Sequence, residues 1–397
     1  MSLGLSLPPQ LLNLQQQSLE AFAAVRERHQ SLPASERQRT TLDEVWSALA
    51  HLRFQGFLVP ERYGGTDAGL LASVLVMEEL AAQGLHSFRP ILLAMGSAAI
   101  TQFGAEPLKQ DVLPRIARGD LKLAIASTEA EAGFNVLNTR TFAQRRDDQF
   151  IINGSKIYVS GVDVADYMLL VTRTMTREEC DQRGLPKTAG ISLLLVETSA
   201  DGVQRTRVPS RGEGALTQFA LTLEDLRVPV SRLVGDEHSG AKPMFHMFNP
   251  ERTLASAMAL GMSRYCLDLA RQHACTRKVF GRTPIGAYQS IQHPLADIAI
   301  RQQAVRLMTY RAAGLFDQGA PAGDLAESAN AAKYLAAELA VRSVDAAIDT
   351  FGGKGFDEDH GIIHLWEAAR LLKTAPISDA LILNQTAERC LGLPRSY

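Results

Sequence analysis

The spacing of hydrophobic residues divides the chain into a helical part, a strand-rich part and a second helical part. Up to about Leu121, segments such as Leu42–Leu52 and Ala72–Gln83 carry apolar residues at helical intervals, with short polar breaks between them. From Leu123 to about Val234, β-branched and aromatic residues alternate with polar ones, which predicts strands. The strand-length runs in this part are Tyr167–Thr172, Gly190–Glu197, Val203–Val208 and Gln218–Leu223.

One dipeptide in the strand-rich part predicts a tight turn. Asn153-Gly154 lies between two alternating runs, and Asn-Gly is favoured where both central residues of a turn need a positive φ. We therefore expect a β-hairpin there, within a small antiparallel barrel or sandwich.

After Gly240 the helical spacing returns in long stripes of apolar residues, which are typical of the core of an antiparallel bundle. The order of helices, strands and helices predicts an α+β fold. We expect an N-terminal α-helical domain (1–122), a central antiparallel β-domain (123–235) and a C-terminal four-helix-bundle domain (236–397). The two stripes are Leu254, Met258, Met262, Tyr265 and Leu269, and then Ile291, Leu295, Ile298 and Val305.

Composition narrows the class of protein. The 397 residues carry 41 Lys plus Arg against 43 Asp plus Glu, and this net charge of −2 argues against nucleic acid as a partner. No apolar run approaches the roughly 18 residues of a membrane helix, and the first residues lack a targeting signal. We therefore expect a cytoplasmic protein without a membrane segment. The four cysteines are scattered without a CxxC pair, so neither disulfides nor a zinc site is predicted.

Several common cofactor and metal signatures are absent or weak. No GxGxxG motif follows a predicted strand, no GxSxG motif is present, and the glycines of Gly352–Gly355 lack the upstream glycine of a P-loop. His360 and His364 are four residues apart with carboxylates nearby, but no HExxH motif accompanies them. We predict a polar helix start there and no metal site.

Two segments of the strand-rich part carry the strongest functional signal. Residues 124–135 read AIASTEAEAGFN, and residues 153–166 read NGSKIYVSGVDVAD. They resemble the acyl-CoA dehydrogenase family, whose signatures run approximately T-E-P-x-A-G-S-D and N-G-x-K-x-W-I-T-N-G. The resemblance covers nearly the whole chain, because further matches follow in the family's order. These are LVPERYGG (58–65), MEEL (77–80), TRKVFGRTPI with YQSIQHPLAD (276–297) and DTFGGKGF (349–356).

The resemblance implies an FAD site on the β-domain. Stacking on an aromatic face and hydrogen bonds to the polar edge are the contacts that hold a flavin ring. Tyr158 and Ser160 match the family's aromatic beside the flavin and its hydroxyl near the reactive nitrogen, and their spacing places both on one strand face. Thr128 and Gly133 match the flavin-contacting turn. Without the neighbouring motifs, Tyr158 would be interpreted as an ordinary half-buried strand aromatic.

The resemblance also implies that each FAD site is completed by a second subunit, so a homodimer, or a homotetramer built from dimers, is expected. Arg277, Phe280 and Gln289 match the residues that reach a neighbour's cofactor, and Gly352 and Gly353 match a loop beside the FAD diphosphate. Arg277 alone would be interpreted as a solvated cation at a helix end.

The catalytic base is the point at which the chain departs from the family. Many members carry the base as the Glu of an E-G-T sequence near the C-terminus. Counting from Arg370 places Asp379 at that position, with a side chain shorter by about 1.5 Å. In a second subgroup the base precedes an arginine on the first C-terminal helix, where this chain has Glu251-Arg252. Glu251 is thus the second candidate for the base. It could instead have a purely structural role, as a capping or first-turn carboxylate of that helix. The sequence slightly favours Asp379.

Other departures concern the substrate. Phe134 replaces a serine hydroxyl expected to touch the phosphates of FAD or CoA, and Asp349 stands where relatives usually carry Gln. Phe134 and Arg252 are therefore the candidate substrate contacts.

The leading hypothesis is FAD-dependent α,β-dehydrogenation of an acyl-CoA thioester in fatty acid metabolism, with electron-transfer flavoprotein or a similar acceptor as partner. A flavin oxidase or monooxygenase of the same fold and a catalytically silent flavin-binding relative are the alternatives.

Overall fold

The structure is a computed structural model that describes residues 7–32, 34–212, 216–357 and 361–395. It confirms the predicted order of helices, strands and helices. The described residues form α1 (Pro9–Ser31), α2 (Ala34–His51), α3 (Gly69–Ala82), α4 (Arg89–Phe103), α5 (Glu106–Ala117), α6 (Arg177–Gln182), α7 (Ala241–Thr276), α8 (Gln289–Asp317), α9 (Ala322–Phe351), α10 (Ile362–Leu371) and α11 (Asp379–Arg389). The strands are β1 (Leu123–Ala126), β2 (Phe142–Arg146), β3 (Gln149–Ser160), β4 (Tyr167–Arg173), β5 (Ile191–Glu197), β6 (Val203–Val208) and β7 (Gln218–Pro229).

The seven strands form one sheet. β4 pairs with β5 along one edge and with β1 and the start of β2 along the other, and the sheet continues through β3 and β7 to β6. The pairs are antiparallel except those of β4 with β1 and β2, which are parallel. Alternate residues of these strands, among them Phe150, Ile152 and Leu221, form a buried core.

The hairpin predicted at Asn153-Gly154 is wrong, because β3 runs straight through this dipeptide. The pairing of β3 with β7 shifts register there, and the Asn153 side chain bonds across to Asp225. A Cβ on Gly154 would lie 2.7 Å from the Cα of Thr141, so this glycine permits a close approach of two chain segments. The hairpin between β2 and β3 turns at Asp147 instead, whose φ is 51°.

Packing groups the chain into two compact units, one of residues 1–52, 69–86 and 252–397 and the other of 53–68 and 87–251. In the second unit α4 packs on β1 so closely that a Cβ on Gly96 would lie 2.2 Å from Leu123 Cδ1. The predicted domains 1–122, 123–235 and 236–397 follow the change of secondary structure instead, and they stay a prediction.

In the first unit α3 packs against α1 and α8 and is buried almost throughout. Glu78 and Glu79 lie in this buried segment and are neutralised by Arg264 of α7, which donates to both carboxylates at 2.9 and 2.8 Å. Arg306 of α8 adds a second guanidinium, 2.7 Å from Glu78. The pairing explains how the MEEL segment carries two adjacent carboxylates into a core.

Candidate active site

Tyr158 sits in a β-bulge of β3. Lys156 pairs with Leu221 and Val159 with Phe219, so Ile157 and Tyr158 together oppose a single residue of β7. The φ of Tyr158 is 57°, a left-handed conformation that is unusual for an aromatic residue. Its side chain is 59% exposed, whereas Val159 beside it is buried in the sheet core. The chain therefore presents an aromatic ring outward from a strained point of the strand, a feature typical of functional sites.

Ser160 has a partner that sequence reasoning missed. Gln218 is directly opposite Ser160 in the pairing of β3 with β7, and its Nε2 donates to the Ser160 hydroxyl oxygen at 2.6 Å. Ser160 thus keeps its own hydroxyl hydrogen for another acceptor. Gln218 Oε1 is buried and has no hydrogen-bond partner among the residues that the structure describes. No motif marks Gln218, and only the register of the two strands reveals it.

The turn that contains Thr128 and Gly133 is attached to the same bulge. The Ile157 N–H donates to the Thr128 carbonyl at 2.9 Å. Within the turn, the Ala132 N–H donates to the Glu129 carbonyl at 3.0 Å. Thr128 is half-buried and Gly133 is exposed, so both are accessible next to Tyr158 on one compact unit.

A buried ion pair lies beneath this turn. Lys156 Nζ is 2.8 Å from Glu129 Oε1 and also donates to the Ser127 carbonyl and the Thr139 hydroxyl. Although burial raises the pKa of Glu129, Lys156 and the hydrogen bonds from Thr139 and Arg140 lower it to about 2. Burial lowers the pKa of Lys156 to about 8, although Glu129 opposes this. Both residues belong to the two signature segments, so the motifs marked them without showing their contact.

The other predicted flavin residues lie in the first unit. Arg277 directly follows α7 and is exposed, Phe280 is 93% exposed in the following loop, and Gln289 opens α8. Gly352 and Gly353 follow α9, and a Cβ on either would meet no atom of the described part of the chain within 4 Å. The φ of Gly352 is 63°, which explains the glycine at this helix end.

Asp379 is the first residue of α11, and its two carboxylate oxygens face two ammonium groups. Lys333 Nζ lies 3.1 Å from Oδ1 and Lys373 Nζ lies 3.3 Å from Oδ2. Lys333 is buried and also donates to the Ile377 carbonyl at 2.6 Å. Burial lowers the pKa of Lys333, and Asp379 opposes that shift. This arrangement fixes the start of α11 and engages the carboxylate with cations on both sides.

Glu251 does not lie in the first turn of its helix, so the structural alternative considered for it is wrong. α7 begins at Ala241, and Glu251 lies well inside it, directly after Pro250. Its side chain is partly exposed, whereas the following Arg252 is buried. Arg252 is close enough to Lys333 to contribute to lowering its pKa. A carboxylate in a helix interior gains little from the helix dipole, so capping does not explain Glu251.

Phe134 is half exposed just beyond the Thr128–Gly133 turn. His360 lies outside the described residues, and within them no group of three His, Cys, Asp or Glu side chains is arranged to hold a metal ion. Among the described helices, none combines the length and the apolar character needed to cross a membrane.

Comparison with known proteins decides the family. The N-terminal, middle and C-terminal domain models of acyl-CoA dehydrogenases match residues 13–120, 124–226 and 238–391. The acyl-CoA dehydrogenase FadE12 of Mycobacterium tuberculosis is 40% identical over 362 residues, 91% of each chain. The chain belongs to the acyl-CoA dehydrogenase family. It is therefore an FAD-dependent oxidoreductase of the class that dehydrogenates acyl-CoA thioesters.

Solved structures agree with this fold. The glutaryl-coenzyme A dehydrogenase glutaryl-CoA complex has a TM-score of 0.88 and 25% identity, over 100% of this chain and 98% of that one. Butyryl-CoA dehydrogenase from Megasphaera elsdenii has a TM-score of 0.86 and 25% identity, over 98% and 100%.

The residues present fit FAD. Tyr158 offers an exposed aromatic face, Ser160 a free hydroxyl hydrogen and Gln218 a buried oxygen that lacks a donor among the described residues. Considered by itself, the first unit offers the backbone at Gly352 and Gly353, where an added Cβ would meet no atom of the described residues within 4 Å, so this backbone is open to an anion.

Proposed function

We propose that this acyl-CoA dehydrogenase uses Glu251 as the base that removes the α-proton of the thioester substrate. When bound, FAD supplies the two-electron oxidation by accepting the hydride from the β-carbon. Thr128, Gly133, Tyr158 and Ser160 would hold the flavin, with Gln218 orienting the Ser160 hydroxyl. Phe134 and Arg252 remain the candidate substrate contacts.

The choice between Asp379 and Glu251 as the base rests on the ion pairs of Asp379. A proton transferred to Asp379 would remove the negative charge that two ammonium groups contact at 3.1 and 3.3 Å, one of them buried. Glu251 is partly exposed in the interior of α7, directly before the candidate substrate contact Arg252, so its carboxylate is accessible to a substrate. We therefore assign the base to Glu251 and a structural role to Asp379.

Glu251→Gln and Asp379→Asn test the assignment. Each holoenzyme is mixed anaerobically with a panel of acyl-CoA thioesters, and bleaching of the flavin absorbance is followed by stopped flow. Glu251→Gln should slow bleaching by about 10²- to 10⁴-fold, the usual contribution of a general base, with FAD still bound. Asp379→Asn should slow it by less than about tenfold and should lower the melting temperature, because a buried lysine loses its charged partner.

The opposite pattern would identify Asp379 as the base. If neither substitution slowed bleaching, both assignments would be wrong. If the unaltered holoenzyme failed to bleach with every thioester, a silent flavin-binding relative would be indicated.

The acceptor and the assembly belong to the same proposal. We infer that electron-transfer flavoprotein or a similar protein reoxidises the enzyme, and that the chain works in the cytoplasm as a homodimer or homotetramer. Family membership supports these roles. Mixing reduced enzyme with oxygen tests the acceptor, because rapid reoxidation would indicate an oxidase instead.

A further inference from the structure

We propose that Glu129 and Lys156 form a latch that sets the position of the flavin-contacting turn, so that both act as positioning residues for FAD. The inference rests on the proposed flavin contacts of Thr128, Gly133 and Tyr158. It adds two buried residues, which would act on FAD only through the turn.

The latch joins the turn to β3 just before the bulge. All three hydrogens of the Lys156 ammonium are used, at 3.1 Å to the Ser127 carbonyl and at 2.8 Å to both Glu129 Oε1 and Thr139 Oγ1. Ser127 and Glu129 flank Thr128 on both sides. A single buried cation therefore holds the backbone before this residue and the side chain after it.

Glu129 ties the turn to the chain that leaves it. Its carboxylate accepts from the N–H groups of Arg140 and Thr141, at 2.7 and 3.0 Å, and from the Thr139 hydroxyl. Lys156 is 1% exposed and Glu129 is 8% exposed, so water does not compete strongly for these bonds.

The bulge connects the latch to Tyr158. Two residues after Lys156, the strand adopts the left-handed backbone that turns the Tyr158 ring outward, and the Ile157 N–H between them binds the Thr128 carbonyl. The turn and the ring are thus fixed to each other by one short stretch of β3. Sequence distance hides this connection, because Glu129 and Lys156 are 27 residues apart.

Lys156→Met and Glu129→Gln test the latch, together with their double variant. Lys156→Met keeps the length of the side chain without its charge, and Glu129→Gln keeps the shape of the carboxylate. Val228→Ala is the control, because Val228 lies in the core of the same sheet and pairs with Phe150, away from the bulge at Ile157 and Tyr158.

The first measurement is hydrogen exchange of residues 127–133 in protein freed of FAD. Both single variants should accelerate exchange in this segment about tenfold, whereas Val228→Ala should not accelerate it selectively. The second measurement is dissociation of FAD from the diluted holoenzyme, followed by the return of flavin fluorescence. Dissociation should be about tenfold faster in either single variant and near the unaltered rate in Val228→Ala, and the flavin absorption bands should change shape. The double variant should be no worse than Lys156→Met, because the two residues act as a unit.

Unchanged exchange at residues 127–133, or equal FAD dissociation in all variants, would overturn the latch. If Val228→Ala accelerated hydrogen exchange at residues 127–133 as much as Lys156→Met does, the ion pair would contribute only to general stability. This result would also overturn the latch. If the unaltered protein bound no FAD, the proposed flavin contacts would fail, while the exchange data would still decide whether the pair positions the turn.

Discussion

Tyr158 carries a ring on a backbone conformation that costs free energy. A left-handed residue with a Cβ is destabilised by roughly 1–2 kcal/mol, and this side chain recovers little by burial because it is 59% exposed. Such strain persists where the surrounding structure imposes it, here through the bulge between Lys156 and Val159. We interpret the strain as the cost of presenting the ring.

Tyr158→Asn should therefore separate stability from cofactor binding. Asn tolerates the left-handed conformation, so the free energy of unfolding of the FAD-free protein should rise by about 1 kcal/mol. The affinity for FAD should fall at the same time, because the aromatic face is lost. Urea unfolding and flavin titration measure the two effects. Tyr158→Phe is the matched control and should change neither the free energy of unfolding nor the affinity for FAD. If Tyr158→Phe also raised the free energy of unfolding, the phenol hydroxyl and not the left-handed backbone would be the source of the strain.

The candidate flavin residues could be selected from the sequence because they lie in motifs, whereas residues defined by strand pairing could not. Thr128 lies in the signature segment at residues 124–135, and Tyr158 and Ser160 lie in the one at residues 153–166. Gln218 has no such mark, because its meaning comes from the register that places it opposite Ser160. The ion pairs of Asp379 were equally hidden, because Lys333 is 46 residues away on another helix.

Elements were predictable where alternation is regular. β6 has the predicted bounds Val203–Val208, and β4 extends the predicted Tyr167–Thr172 by one residue. The error at Asn153-Gly154 has a physical cause, since glycine serves both tight turns and close backbone approach, and the sequence does not distinguish them. The packing of helices could not be predicted either, because the spacing of apolar residues does not show that α3 packs against α8.

The start of α3 gives a prediction at the element scale. Asp317, the last residue of α8, accepts from the Leu70 and Leu71 N–H groups at 2.6 and 3.0 Å and so caps a helix nearly 250 residues away in sequence. Asp317→Ala should lower the free energy of unfolding by about 1–2 kcal/mol, because two N–H groups lose their acceptor. Asp268→Ala is the control, since its pair with Arg271 is exposed and contributes little to the free energy of unfolding. Equal losses in urea unfolding would show that the cap contributes nothing beyond an exposed charge.

At the scale of the whole molecule, the loop after α7 is the feature that bears on the proposed homodimer. Phe280 is 93% exposed and its neighbour Val279 is 47% exposed, on the same loop as Arg277. Adjacent apolar side chains open to water commonly mark an interface with another protein. This exposure supports a site completed by Arg277 and Phe280 of a second copy of the chain.

Mixed dimers test the shared site, with two tags used to purify only dimers of unlike chains. When one chain carries Glu251→Gln and the other Arg277→Glu, one site keeps both an intact base and an intact arginine from its partner. Such dimers should have about half the unaltered activity, because a two-fold dimer holds two such sites. When both substitutions lie on one chain and the partner is unaltered, each site lacks one of the two groups, so activity should be lost. A site built within a single chain would reverse these results, with half activity in the second arrangement and none in the first, and flavin content per dimer would show which sites have lost FAD.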